Sequence, residues 1–317
     1  MKKVLSIPLA LSFLLPAISE AHVKWFAYPA KTVRSYSFLD SWVIVWIIIS
    51  LLLIAIGVYL ERKIKVPDLV SKYSQSFTDI AHSVCSIGIG LSLILFSING
   101  YVFAPNIPVF GYLGLSLLMV QAVSGILVLF GFYERVGAAL LLLLFFSGIV
   151  QNGVLSTLEA LDVLGIALYI FIIGRPKWSL IKSNIFESFA NSKRSYGVPL
   201  LRFFTGLNLV ILGFSEKILN PSLTQSFLEH YHWNFMQNIG FFWFSDYWFA
   251  FSAGVAEGLI GVFLVLGILT RVTTLALAGF LVTTLVLLGP VELIGHLPHF
   301  SMAIVFLVIG SGERLKV

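Results

Sequence analysis

An acid and a base bracket one apolar stretch of this chain. Glu257-Gly-Leu-Ile-Gly-Val-Phe-Leu-Val-Leu-Gly-Ile-Leu-Thr-Arg271 is greasy enough to lie in a bilayer, yet it opens on a carboxylate and closes on a guanidinium. An ionisable group at membrane depth is costly and marks a functional site by default. The same frame occurs earlier as Gln121-Ala-Val-Ser-Gly-Ile-Leu-Val-Leu-Phe-Gly-Phe-Tyr-Glu-Arg135, with a neutral amide in place of the acid. The asymmetry continues upstream, where Ser86 aligns with Arg202, Gly100 with Glu216 and Tyr101 with Lys217. One copy has kept charges that the other lacks. Arg202, Glu216, Lys217 and Glu257 therefore form the candidate catalytic set, with Arg202, Asn208 and Arg271 as candidate cofactor contacts. The bland alternative for Arg135, Arg202 and Arg271 is snorkelling of a long cation to a polar interface.

The histidines suggest a second chemistry. Of the six, His22, His230, His232, His296 and His299 fall on one side of the expected topology, and only His82 falls on the other. If the chain around them is helical, Glu292, His296 and His299 stand at i, i+4 and i+7 and share a face. Imidazoles with a carboxylate suit Cu or Zn. His22, Glu292 and the four histidines His230, His232, His296 and His299 are accordingly the candidate metal ligands. For any one of them alone, an interfacial histidine with no ligand is the simpler expectation.

The elements that must position these residues follow from composition. The 317 residues are 58% hydrophobic and 11% charged, with a mean hydropathy of +0.97. Soluble domains carry about 25% charged residues, so this is a polytopic membrane protein in contact with the lipid bilayer. The formal charge of +5 sits in particular loops, where it reports topology and not nucleic-acid binding. The lone cysteine, Cys85, excludes a disulfide within the chain.

Met1-Lys-Lys, the apolar run Val4 to Pro16 and Ser19-Glu20-Ala21 predict a signal peptide over residues 1–21, which would make His22 the mature N-terminus. Such a terminus can chelate copper through its amine and ring. Residues 22–41 are expected to be periplasmic, and 42–80 to hold a first span and a cytoplasmic linker. Eight further spans are expected near 83–103, 111–131, 136–152, 157–174, 197–215, 248–269, 272–289 and 297–311, each near the roughly 20 residues a bilayer needs. Basic clusters at 61–65, 175–194 and 314–316 then all fall on the cytoplasmic side. The fold class is all-α, a membrane bundle of about nine helices. A degenerate four-helix module, 81–174, is followed by a basic loop, 175–196, and a second module, 197–317. The modules align at an offset of 116 residues for the first helix (90 to 206) and 136 for the rest (121 to 257), with an insertion between Pro221 and Gly254. The repeat is parallel and has no pair of broken helices, which argues against a secondary transporter.

Leu201-Arg202-Phe-Phe-Thr-Gly206, Gly213-Phe-Ser-Glu-Lys217, Glu257 and Leu266-Gly267-Ile-Leu-Thr-Arg271 together resemble the DoxX family of small four-helix membrane proteins. That family's pattern is an arginine and a glycine early in its first helix, a lysine at that helix's outer end, and a later helix running from an acid to an arginine. Residues 197–311 resemble it well. Residues 83–174 match in spacing and glycines but lack most of the charges, and 1–80 lie outside the match. The resemblance implies a membrane-embedded helical bundle. Some relatives are subunits of thiosulfate:quinone oxidoreductase, others are tied to redox homeostasis, and many have no assigned activity. Three functions are therefore expected to compete. One is a redox-linked inner-membrane subunit holding a quinone or meeting a periplasmic or membrane redox partner. The second is a copper- or zinc-handling protein, and the third a scaffold for a partner enzyme. No cysteine pair or bis-histidine pattern for haem is present, so electrons would pass through a quinone or a partner.

Overall fold

The computed structural model describes residues 32–63, 74–104, 107–174, 177–181, 186–289, 291–312 and 314–315. The expected signal peptide and His22 lie outside the described residues. The chain runs α1 (Ser41–Lys63), α2 (Ser74–Ile98), α3 (Gly111–Leu129), α4 (Glu134–Asn152), the short α5 (Val154–Leu158), α6 (Leu161–Ile173), the short α7 (Glu187–Lys193) and α8 (Gly197–Leu212). A π-helical turn, Gly213–Ile218, extends α8. There follow α9 (Pro221–Tyr231), the short α10 (Phe235–Asn238), α11 (Asp246–Leu266), α12 (Thr270–Leu288), the short α13 (Val291–Gly295) and α14 (Leu297–Ile309). Among the described residues there is no strand, only two isolated bridges. Among the described residues, six helical stretches are long and apolar enough to cross a membrane, and three shorter apolar helices stand at the other expected spans. The protein is an all-α polytopic membrane bundle.

One expected boundary moves. The span read as 83–103 is a helix from Ser74 to Ile98. It begins inside the expected linker and stops at Asn99-Gly100, where Gly100 takes a positive φ. Residues 101–104 and 107–110 then run as loop.

The repeat is built into the backbone. Tyr133 and Leu269 both take the left-handed conformation, at φ 48 and 44, immediately before α4 and α12. Arg135 donates from Nε to the Phe171 carbonyl, and Arg271 donates from Nε to the matching Leu307 carbonyl. Each guanidinium lies against a glycine of positive φ, Gly174 or Gly310, where a Cβ would meet the arginine at 2.8 and 3.3 Å. The first two helices of each module meet glycine on glycine. A Cβ on Gly90 would meet the Leu129 nitrogen at 2.6 Å, and one on Gly206 would meet the Gly261 carbonyl at 2.5 Å. Small residues at such crossings let backbones approach and replace the hydrophobic drive that a bilayer cannot supply.

The modules do not close on themselves. The last helix of the first module, α6, packs most extensively on α8, and the last helix of the second, α14, on α2. The eight main helices thus form one ring, α2–α3–α4–α6–α8–α11–α12–α14 and back to α2. Helix α1 stands outside it against α11 and is mostly exposed. It is fixed by Trp46 Nε1 donating to Ser252 Oγ, by Gly57 against Phe263 and Ile268, and by Glu61 Oε2 accepting from the Leu269 N–H.

The two halves differ inside. One continuous apolar core runs through the first module and into α8 and α14, whereas the second has only small clusters around Phe227 and around Leu264. In the first module Ser124 Oγ donates to the Gly137 carbonyl and ties α3 to α4. The matching positions are Ile260 and Thr273, bulkier and without that bond, and α11 meets α12 far more thinly.

Candidate functional site

The space between the splayed helices is a cavity of about 680 Å³. Its wall is aromatic and aliphatic, with Leu212, Phe227, Trp233, Phe244, Phe249, Leu277, Phe280 and Leu281 among the lining residues, and α1 contributes Trp46. The inserted segment of the second module, α9, α10 and the chain to Ser245, roofs one end. Asn234 fastens that roof, donating from Nδ2 to the Phe244 carbonyl and to Asp246 Oδ1, both at 2.8 Å.

The cavity has two polar places. At one, Lys217 Nζ donates to Glu257 Oε2 at 2.6 Å. Helix geometry explains why both side chains arrive there. The π-helical turn adds a residue to the end of α8 and carries Lys217 round to face α11, whose Gly254 is closely met by the lysine's own Cβ. Such turns often mark functional sites. The matching stretch of the first module ends its helix at Ile98 and has no such turn. Glu216, beside Lys217, is fully buried and does not line the cavity.

At the other place are His296 and His299, both buried and both lining the cavity. The expected single helix through Glu292, His296 and His299 is broken. Val291–Gly295 and Leu297–Ile309 are separate helices that meet at His296, with Pro298 in the first turn of α14. The residues still gather. His296 Nδ1 approaches Glu292 Oε1 at 3.2 Å without the angles of a hydrogen bond, and the two imidazoles stand edge to face at 5.4 Å. His299 Nε2 lies 3.6 Å from Asp162 Oδ2, a residue of the first module. Asp162, like Trp46, was absent from the sequence-derived set. Its signal is one acid in the otherwise apolar run Leu161–Ile173.

The remaining candidates lie elsewhere. Arg202 is completely buried, and none of its donors reaches the cavity. It donates to the carbonyls of Leu264, Val265, Ser311 and Leu315, tying the C-terminal end of α11 to the tail. Asn208 Oδ1 accepts from the Leu161 N–H and seats the start of α6. Arg271 donates to the Leu307 and Val308 carbonyls. These three are positioned as structural ties between helix ends, where main-chain carbonyls or N–H groups lack intrahelical partners. His230 and His232 are exposed on the roof and do not line the cavity. Among the described residues, no group of three or more His, Cys, Asp or Glu is arranged to hold a metal ion.

Chemically, the cavity is a mostly apolar space with one ion pair and one imidazole pair. It suits an apolar molecule with a small polar head better than a hydrophilic one. Its volume lies in the range of about 300–1,000 Å³ usual for small-molecule sites. No curated protein and no solved structure matches the chain. The DoxX family model matches residues 197–290, a stretch that begins with α8, holds Lys217, Glu257 and the roof, and ends past α12, so most of the hollow half of this membrane protein is similar to a DoxX domain.

Proposed function

We propose that the hollow module binds a membrane quinone and that the protein works as a redox-linked subunit of the bacterial inner membrane, exchanging electrons with a periplasmic or membrane partner. One observation carries this: the Lys217–Glu257 ion pair borders an otherwise apolar cavity of about 680 Å³. A buried pair repays its desolvation poorly in stability alone, and an ionisable pair at membrane depth is a functional hypothesis. A quinone needs an apolar channel for its tail and polar groups for its ring oxygens, and both are provided here.

The test is titration of the purified protein with a decyl-tailed benzoquinone and its hydroquinone, read calorimetrically. Saturable binding near one per chain is expected for at least one form. Glu257→Gln is expected to keep its membrane yield, because Gln121 occupies that frame in the first module, and to weaken binding of the tighter form at least tenfold. Absence of binding in the wild type would remove the quinone and favour the scaffold.

Copper or zinc handling has less support, since His230 and His232 stand apart from the buried His296 and His299. Stoichiometric Cu or Zn in the purified protein would restore it. The basic clusters further support a cytoplasmic C-terminus. A reporter active only in the cytoplasm, fused after Val317, should be active, and activity of a periplasm-only reporter there would reverse the orientation.

A further inference from the structure

In the first module the place that corresponds to the cavity is occupied by the chain itself. Phe103 is buried, only 5% exposed, and takes a left-handed φ of 68. That conformation costs a bulky residue about 1–2 kcal/mol and persists only where the surroundings impose it. Its ring lies 6.3 Å from that of Phe145 and within 3.5 Å of where a Cβ on Gly148 would stand. Its N–H donates to Gln121 Oε1 at 2.8 Å. The repeat carries Gln121, Phe145 and Gly148 to Glu257, Leu281 and Thr284, and all three of these line the cavity of the second module. The counterpart of Phe103 is Leu219, which is 73% exposed. The plug is therefore missing where the cavity is open.

The polar partners correspond as well. Gln121 Nε2 donates to the Tyr101 carbonyl at 2.9 Å, and its Oε1 accepts from the plug. Tyr101 maps to Lys217, which holds Glu257 Oε2. The remaining oxygen, Oε1, stands in the role of the oxygen that accepts from Phe103. In the first module, then, an aromatic ring fills the space, and the main-chain N–H of the same residue donates to residue 121.

Resting on the quinone reading, we infer that the second module selects the reduced ring: a hydroquinone whose ring lies against Leu281 and Thr284 and whose hydroxyl donates to Glu257 Oε1. A quinone carbonyl at the same point would set two acceptors face to face, and leaving a buried polar group unpaired is strongly unfavourable. The experiment compares decyl-benzohydroquinone with decyl-benzoquinone and with decanol, without oxygen, by calorimetry on the full chain in nanodiscs. The hydroquinone should bind at least about tenfold more tightly than the quinone, a difference of about 1.4 kcal/mol, and decanol should not saturate. Thr284→Phe, which restores a ring to the place Phe103 fills, should abolish binding of both ring forms while the protein stays folded. Glu257→Gln should reduce the preference for the hydroquinone to threefold or less. Equal or tighter binding of the quinone overturns the inference and leaves the quinone reading intact, whereas no binding of either ring form by the wild type overturns both. Wild-type binding by a folded Thr284→Phe variant overturns the placement of the ring, and wild-type selectivity in Glu257→Gln overturns the role of Oε1.

Discussion

The two modules share a helical frame and differ in their interiors. Both use a left-handed residue before their third helix, a glycine crossing between their first two helices and an arginine clamped on a late glycine. The first has a continuous apolar core, in which Ser124 ties α3 to α4 and Phe103 packs against Phe145. The second is hollow because Ile260 and Thr273 hold the same helices apart and nothing plugs the gap. A duplicated scaffold can therefore hold a site in one copy and close it in the other, through a handful of side chains and one loop. Neither outcome needs a change in helix order.

The sharpest break in the comparison should come at the ion pair. Lys217→Met leaves Glu257 facing the cavity without its cation, and removing one partner of a buried pair costs about 3–5 kcal/mol. Tyr101→Phe, at the matching place, removes no charge and leaves the Tyr101 carbonyl that Gln121 uses, so it should cost less than Lys217→Met. Reversible unfolding in mixed micelles reads both, and equal effects would deny that the charges have gathered in one module.

Next is the plug. Phe103→Ala should destabilise by about 3 kcal/mol through the void it leaves. Leu219→Ala, at the exposed counterpart, should fall within about 0.5 kcal/mol. A small loss at Phe103 would show that the first module is not held by its filling.

The smallest contrast should lie in the shared frame. Gly90→Ala and Gly206→Ala each force a methyl into main chain less than 3 Å away, and overpacking of this kind costs about 1–3 kcal/mol. Because the crossings match, the two losses should agree within about 1 kcal/mol. A gap wider than that would separate the modules at the one place where they look most alike.

The frame was legible in the sequence for a simple reason. Glycines, arginines at helix ends and apolar runs report backbone geometry, which needs few residue types. Lys217 and Glu257 were also legible, since charges in an apolar run are expensive. Arg202 and Arg271 show where that logic fails. A guanidinium can be satisfied by carbonyls at a helix end, and nothing in spacing separates that from a ligand contact. Asn208 misleads in the same way, being used up on the Leu161 N–H. The cavity itself was not legible. It depends on a Ser-to-Ile and a Gly-to-Thr difference at contacts between helices, and on whether a loop turns in or out. Those are properties of pairs that only packing brings together. His296 and His299 stand side by side, though not on the single helix their spacing with Glu292 implied, while Asp162 comes from the module that lacks most of the charges.

The crossed closure of the ring has a consequence for ancestry. The last helix of each module packs on the first helix of the other, so a single module with this geometry would have two helix faces unmet. A free-standing four-helix form of the same design would have to associate as a pair, the last helix of each copy on the first of its partner. Joining the two copies in one polypeptide fixes that pairing permanently. It also frees the halves to diverge, because a homodimer must carry every substitution twice and a fused pair need not.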